Sequence, residues 1–341
     1  MSPESTNNTT GDNNNTLLWS VAAAVAIVAI SLGLRYSANS SATKKKQKQE
    51  ETWESHVDPD HGPLEEVYPG VLYRLEAPGC DMGPPIRNMT IYRVPNNNNE
   101  KQTKDRKLVL YSAIAVREDT LQEILALGTP AVMIVPNHMH RCCAGVWQRR
   151  FPTMTVVCVG ASCPANSRSK IEDIVTVDMT TTELVSQPEW KDYMSVKQID
   201  GWAYFEEILE VTLTTTNNDD KNLQTKKAMI VCDLLFTMPY NKNANLFERV
   251  ILWFFDSCIE LPEPSAGSKI IVPKVSRVAR IFGILDWTKA HAWYQTYAAE
   301  QGKNIFAILV GHGPPVVELD PAEGCTKALE GVADQLVKPR W

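Results

Sequence analysis

Between residues 67 and 160, short segments of alternating or continuous apolar residues recur, a pattern typical of strands that bury one or both faces. GVLYRLEA and MTIYRV alternate, whereas KLVLYSAIAV, AVMIVPN and MTVVCVG are apolar runs. Between them, REDTLQEILALGTP has apolar residues at helical spacing and ends in Gly128 and Pro130, so it predicts a helix. AGVWQRRFP predicts a short helix, and GASCPANSRSK predicts a surface loop.

The second half of the chain continues the same style. YFEEILEVTLTTT and KKAMIVCDLLF predict the two arms of a hairpin, and NIFAILVGHGPPVVE predicts a strand. NANLFERVILWFFDSC and SRVARIFGILDWTKAHAWYQTYAAEQG have helical periodicity, and residues 321–337 predict a last helix. Strands and helices in this order predict an α/β sandwich.

The N-terminal region differs from the rest. Residues 1–16 form a polar tail, and residues 17–34 are uncharged and long enough to span a membrane, which predicts a transmembrane helix over 17–36. Arg35 and the lysines at 44–46 follow it, so the positive-inside rule places the main domain on the cytosolic or equivalent side of a single-pass protein. A cleaved signal peptide ending near SANSSA, or an organelle-targeting leader, is the alternative. Residues 37–65 predict a flexible linker and 66–341 one domain.

Charge and cysteine content narrow the function class. The chain has 40 acidic and 34 basic residues and a net charge of −6, so we expect no nucleic-acid partner. Its eight cysteines form no CxxC pair, which favours reduced thiols over a disulfide framework and agrees with a cytosolic domain.

Polar residues follow several of the apolar strands. His138 and His140 follow AVMIVPN, Asp233 follows KKAMIVC, and His312 follows NIFAILVG. Catalytic and ligand groups of layered α/β folds gather at such strand ends, because the loops there carry polar side chains while the strands fix their positions. Imidazole nitrogens and carboxylates are suitable ligands for zinc or iron.

These segments resemble the metallo-β-lactamase superfamily. PGVLYRL, HMHRCCAG, IVCDLLF and ILVGHGPPV occur in the order of its opening strand, metal motif, bridging-aspartate strand and final histidine, across about residues 65–320. The similarity is greater to a divergent subgroup, known only as a domain of unknown function, whose N-x-x-H-H and downstream Trp are matched by Asn137, His140 and Trp147. The resemblance implies an αββα sandwich with a zinc or iron site and hydrolase chemistry.

The chain departs from the superfamily's His-x-His-x-Asp-His motif. His138 and His140 fit, but Cys142 stands in the place of the Asp and Cys143 in that of the last His, although a thiolate also binds zinc. In the subgroup's register, Arg141 replaces the second His and cannot be a ligand. No histidine lies between Arg141 and Asp233, so the site is incomplete by family standards. The predicted metal ligands are His138, His140, Cys143, Asp233 and His312, and Asp233 is also the candidate catalytic base.

Two functions follow from this pattern. The first is a membrane-anchored, metal-dependent hydrolase of a small ester, thioester or phosphoester, whose small-molecule substrate is unidentified. The second is a non-catalytic relative with a degenerate site that serves as a binding or scaffold module at a membrane. The first requires the loop at 137–143 to meet Asp233 and His312, and ligands of one ion lie within roughly 3–4 Å of one another. Whether His138 or His140 points inward stays open.

Overall fold

The computed structural model describes residues 52–78, 86–95, 106–160, 165–203, 206–213, 225–239, 258–259 and 270–337. No helix in these ranges is long and apolar enough to cross a membrane. The predicted tail and transmembrane helix, residues 1–36, lie outside them, as do residues 243–257 of one predicted helix.

The strands lie in two main sheets and one short pair. In chain order they are β1 (Leu64–Tyr68), β2 (Leu72–Pro78), β3 (Ile86–Arg93), β4 (Lys107–Tyr111), β5 (Thr129–Val135), β6 (Thr155–Cys158), β7 (Met179–Thr180), β8 (Met194–Lys197), β9 (Ile208–Leu213), β10 (Lys226–Ile230), β11 (Met238–Pro239), β12 (Cys258–Ile259), β13 (Ile305–Leu309) and β14 (Val316–Val317). The first sheet has the order β1-β2-β3-β4-β5-β6-β7 and the second β14-β13-β10-β9-β8, while β11 pairs with β12.

Seven α-helices lie in the described residues. They are α1 (Glu118–Leu127), α2 (Ala144–Arg150), α3 (Ala165–Glu172), α4 (Thr181–Ser186), α5 (Arg277–Phe282), α6 (Trp287–Gln301) and α7 (Thr326–Asp334). Single 3₁₀ turns lie at Glu54–His56 and Gly302–Asn304.

Most of the predicted elements are confirmed, with two corrections. The predicted hairpin is present as the antiparallel pair β9 and β10. The long helix predicted from residue 276 is instead two helices, because Ser276 caps α5 and Asp286 caps a new N-terminus for α6. The segment predicted as a surface loop at 160–170 contains α3 from Ala165 onward.

Buried side chains form three large clusters, which define four layers, and one small cluster of Phe236 and Met238. Alternate residues of β4, such as Val109 and Tyr111, pack between the two sheets against residues of β10 and β13 such as Ile230 and Leu309. The other faces of the two sheets pack against helices: α1, α2 and α3 cover the first sheet, and α5, α6 and α7 cover the second. The predicted αββα sandwich is therefore the architecture of the described residues.

The folded unit begins before the boundary that composition suggests. It extends from residue 52, so residues 52–65 belong to it although they are polar enough to predict a linker. Trp53 is buried and donates its indole N–H to the Val116 carbonyl at 2.9 Å. His61 is 4% exposed, and its Nε2 accepts the Arg117 N–H at 2.9 Å. These two side chains tie the segment to the start of α1.

Candidate metal centre

Strand pairing brings the predicted site residues to one end of the sandwich. β10 and β13 are parallel neighbours, and their last residues, Ile230 and Leu309, pair with each other. Asp233 and His312 each lie three residues beyond the end of their strand. His140 comes from the loop after β5 in the facing sheet. The three residues therefore meet where the carboxyl ends of strands from both sheets converge.

Three ligand atoms lie close together in this cluster. His312 Nε2 is 2.9 Å from Asp233 Oδ1, and His140 Nε2 is 3.3 Å from the same oxygen. The two Nε2 atoms are 3.2 Å apart. The side chains of His140, His312 and Asp233 are 8%, 2% and 5% exposed, so the cluster is almost entirely removed from solvent.

The Nδ1 atoms of both rings, which face away from Asp233, are held by protein oxygens. His312 Nδ1 lies 2.6 Å from the carbonyl oxygen of Ile86, and a carbonyl can only accept, so this nitrogen carries a proton. In the neutral ring, Nε2 then directs a lone pair at Asp233 Oδ1. His140 Nδ1 is likewise 2.9 Å from Ser112 Oγ. In that tautomer His312 Nε2 and Asp233 Oδ1 are two acceptors that face each other at 2.9 Å, and they require a proton or a metal cation between them.

A metal ion fits this arrangement. Zinc binds imidazole nitrogen and carboxylate oxygen at about 2.0–2.2 Å, which places ligands of one ion roughly 3–4 Å apart. The three separations of 2.9, 3.2 and 3.3 Å lie at or just below the lower end of this range. A ring nitrogen that bonds to a protein oxygen while the other faces the ion is the usual arrangement of a metal-binding histidine. Two histidines and one carboxylate form a donor set known for both zinc and iron sites.

Asp233 is ionised by its surroundings. Burial raises the pKa of its carboxyl, but the charges and hydrogen bonds of His140 and His312 outweigh that effect and hold the pKa far below its usual range. Asp233 Oδ2 accepts Asn137 Nδ2–H at 2.7 Å, so both oxygens are engaged. A carboxylate with such a low pKa is a weak base, so the arrangement suits Asp233 to the predicted role of ligand better than to that of catalytic base.

Asn137 links the histidine loop to Asp233. It is completely buried, and its Oδ1 accepts the backbone N–H groups of Met139 at 2.8 Å and His140 at 3.2 Å. Its Nδ2 holds Asp233 from the other side, as described above. One amide thus shapes the loop and fixes the distance between two of the predicted ligands.

Ser112 has an unusual backbone conformation. Its φ is 56°, and it is the only non-glycine residue with positive φ in the part of the chain described. This conformation is costly for a serine, and it occurs where the hydroxyl meets His140 Nδ1. The residue follows β4 directly, and its N–H is bonded to Ile134 O at 3.1 Å.

Two glycines allow His312 to reach the cluster. A Cβ on Gly311 would lie 2.7 Å from Cys232 Sγ, and Gly313 has φ 104° with its Cβ position 2.5 Å from the Thr237 carbonyl carbon. Side chains at these positions would displace the loop. Between them, His312 stacks on Phe236 with ring centroids 5.2 Å apart and planes at 6°.

The structure places His138 and Cys143 in other surroundings. His138 Nδ1 lies 2.8 Å from Ser167 Oγ, and burial, with the nearby charges of Lys170 and Arg141, lowers its pKa. Cys143 is 2% exposed at the start of α2 and packs in the helix-side core. Neither belongs to the cluster around Asp233, and their predicted role as ligands has no counterpart in its geometry.

Cys232 and Glu206 are buried beside the site, and the sequence pattern did not mark either of them as a functional residue. His140, Cys232 and Asp233 each offer a ligand atom within 4.8 Å of the others, and burial, followed by the charges of Asp233 and Glu206, raises the pKa of the Cys232 thiol. Burial and the charge of Asp233 also raise the pKa of Glu206. Cys232 is adjacent to Asp233 in sequence, whereas Glu206 looks like any acidic residue at the start of a strand.

Comparisons with known proteins give weak matches. No protein-family model matches the chain, and no curated protein matches it. Among solved structures, the DIM-1 metallo-β-lactamase exposed to ceftazidime gives a TM-score of 0.43 at 9% identity, covering 82% of this chain and 99% of that one. The mono-zinc form of FIM-1 from Pseudomonas aeruginosa gives 0.41 at 11%, with 83% and 100% covered. At these TM-scores the similarities carry no argument about family or activity.

Proposed function

We propose that this protein is a metal-dependent hydrolase of a small ester, thioester or phosphoester, with zinc held by His140, Asp233 and His312. The observation that supports it is the pairing of His312 Nε2 with Asp233 Oδ1 at 2.9 Å while Nδ1 is committed to the Ile86 carbonyl. That tautomer leaves a lone pair facing a carboxylate, and a divalent cation is the partner that both groups can share.

The same proposal includes a relationship to the metallo-β-lactamase superfamily. It is supported by the order of the four sequence motifs and by the αββα layers, with Asp233 and His312 at the ends of neighbouring parallel strands. The loop after β5 supplies His140 in the position where the superfamily carries its metal motif. The ligand set is smaller than the family's, which favours one metal ion rather than two.

The residues of the site have separate roles in this proposal. His140, Asp233 and His312 hold the ion, and Ser112, Ile86 and Asn137 orient them. Bound zinc supplies Lewis acidity that polarises a carbonyl or phosphoryl oxygen and activates water. Phe236, stacked on His312, shields one face of that ring from solvent.

Metal analysis combined with activity tests this function. The full chain is purified, its zinc and iron content is measured, and chromogenic esters, thioesters and phosphoesters are assayed with and without added metal. We expect about one metal ion per chain and turnover of one substrate class that is lost in Asp233→Asn. Folded wild-type protein that binds neither metal would refute the proposal.

A second function, a non-catalytic binding or scaffold module, is favoured by one observation. The three side chains are at most 8% exposed, as in a metal site that stabilises a fold rather than reaching a substrate. In that case the same analysis gives stoichiometric metal and a metal-dependent melting temperature, but no turnover of any substrate class.

Membrane attachment through residues 17–36 is a separate part of the proposal. It is supported by the uncharged run at 17–34 and the basic residues that follow it. We expect the full chain to remain in the membrane fraction after alkaline carbonate extraction and a chain without residues 1–36 to be released. Release of the full chain would refute the anchor without affecting the metal site.

A further inference from the structure

Glu206 is a buried carboxylate directly behind Asp233. It is 5% exposed, and its Oε2 accepts the backbone N–H of Asp233 at 2.6 Å. Its Oε1 accepts the backbone N–H of Cys232. A single side chain therefore binds two consecutive N–H groups of the segment that carries Asp233.

These hydrogen bonds replace those of a sheet. β10 ends at Ile230, and residues 232–234 form a bend instead of continuing the strand. Buried N–H groups without an acceptor are strongly unfavourable, so the bend depends on the acceptor that Glu206 provides. The bend in turn sets where the short Asp233 side chain places its oxygens.

The opposite side of Asp233 is held independently. Asn137 fixes Oδ2 at 2.7 Å, and Oδ1 faces the two histidine nitrogens. Glu206 is thus the contact that fixes the backbone of this residue, while Asn137 fixes its carboxylate. Groups that orient a metal ligand from behind change metal affinity without touching the ion.

The geometry points to Glu206 as a positioning residue for the metal ligand Asp233, an inference that rests on the proposed metal site. Its carboxylate holds the backbone at Cys232 and Asp233 so that Asp233 Oδ1 faces His140 and His312. Glu206 itself is not among the three proposed ligands, and each of its oxygens accepts a backbone N–H group.

The adjacent Glu207 provides a matched control. It is 4% exposed, and its carboxylate accepts the Thr181 hydroxyl and Gln198 Nε2–H, the latter at 3.2 Å. The two residues share type and burial, but Glu206 binds the backbone of the segment that carries Asp233, whereas Glu207 binds the side chains of Thr181 and Gln198.

Zinc affinity of the full chain, measured by competition with a chromophoric chelator, tests the inference with Glu206→Gln, Glu206→Asp and Glu207→Gln. In Glu206→Gln the amide NH₂ faces a backbone N–H, so we expect about 10–100-fold weaker zinc binding and a shifted visible spectrum of bound Co²⁺. Glu206→Asp keeps a carboxyl group with two acceptor oxygens on a shorter side chain, and we expect it to recover part of the affinity. Glu207→Gln leaves both affinity and spectrum unchanged.

The outcomes separate this inference from the proposed function. Equal affinity in wild type and Glu206→Gln overturns the positioning role, as does an equal loss in Glu207→Gln, which indicates general destabilisation. If Glu206→Gln does not fold, Glu206→Asp decides: wild-type affinity and an unshifted Co²⁺ spectrum refute the role, and weaker binding supports it. A wild-type chain that binds neither zinc nor Co²⁺ refutes the metal site itself.

Discussion

Two buried carboxylates of the second sheet, Glu210 and Asp233, are stabilised in different ways. Glu210 on β9 accepts Lys227 Nζ at 2.9 Å, Ser195 Oγ at 2.9 Å and Tyr297 OH at 2.7 Å. Burial raises the pKa of Glu210, and these partners, Lys227 first, lower it below its usual value. The protein therefore supplies its own cation to this carboxylate.

Asp233 differs, because the part of the chain that the structure describes places no such cation against it. Among the described residues, no lysine or arginine pairs with it. The groups that face Oδ1 are the Nε2 atoms of His140 and His312, and in the neutral tautomer of His312 that atom presents a lone pair. Burial alone therefore does not indicate a metal site. The indication comes from a buried carboxylate whose neighbours are themselves suitable metal ligands and which no lysine or arginine of the described residues contacts.

The largest effect is expected from Asp233→Asn. The substitution keeps the shape of the side chain but removes its charge, so zinc affinity should fall by more than the roughly 100-fold associated with outer contacts. Isothermal titration calorimetry measures it, and Glu210→Gln is the control. If both variants bind zinc as well as wild type does, the contrast between the two carboxylates has no functional meaning.

The next effect separates the two histidines of the loop after β5. His140→Ala removes a ring that contacts Asp233, and we expect zinc affinity to fall by about 10–100-fold or more. His138→Ala removes a ring that faces Ser167, and the affinity should change by less than about threefold. The same titration measures both variants. A larger loss of zinc affinity in His138→Ala than in His140→Ala would show that His138 is the ligand.

A smaller effect, on stability alone, is expected from Lys227→Met. It leaves the Glu210 carboxylate, whose side chain is 2% exposed, without its cation, and should lower the free energy of unfolding by about 1.5–3 kcal/mol. Urea denaturation measures this change. The exposed pair of Lys327 and Glu323 gives the control, since Lys327→Met should leave the free energy of unfolding nearly unchanged. A change in zinc affinity in Lys227→Met would contradict the independence of the two sites.

The smallest effect is a pH dependence from Glu210. Because its folded-state pKa is lowered, ionised Glu210 stabilises the fold above the unfolded-state pKa of about 4.3, and this contribution is lost as the pH falls through the folded-state value. Melting temperatures of wild type and Glu210→Gln should therefore converge as the pH is lowered from 6 to 3. A constant difference across that range would show that the charge of Glu210 contributes nothing.

Local patterns predicted most of the elements because each is specified by its own residues. Helix α1 follows from its apolar spacing and from Gly128, and the β9–β10 hairpin follows from two apolar runs around a polar loop. Errors arose where a distant contact decides the outcome. Residues 52–65 read as a linker because their composition is polar, but Trp53 and His61 bury themselves against residues near α1 more than 50 positions away.

The layered α/β class and the residue types at the strand ends follow from the amino-acid pattern alone, because periodicity and strand-end polarity are local properties. Which side chains meet depends instead on how distant segments pack. In the folded chain, His140 contacts Asp233 whereas His138 contacts Ser167. Cys143 lies in the core between the first sheet and its helices, and Glu206 lies behind Asp233. Side-chain directions are set by the register between parallel strands and by the bends that follow them. Both depend on contacts with residues distant in sequence, so the local pattern does not reveal them.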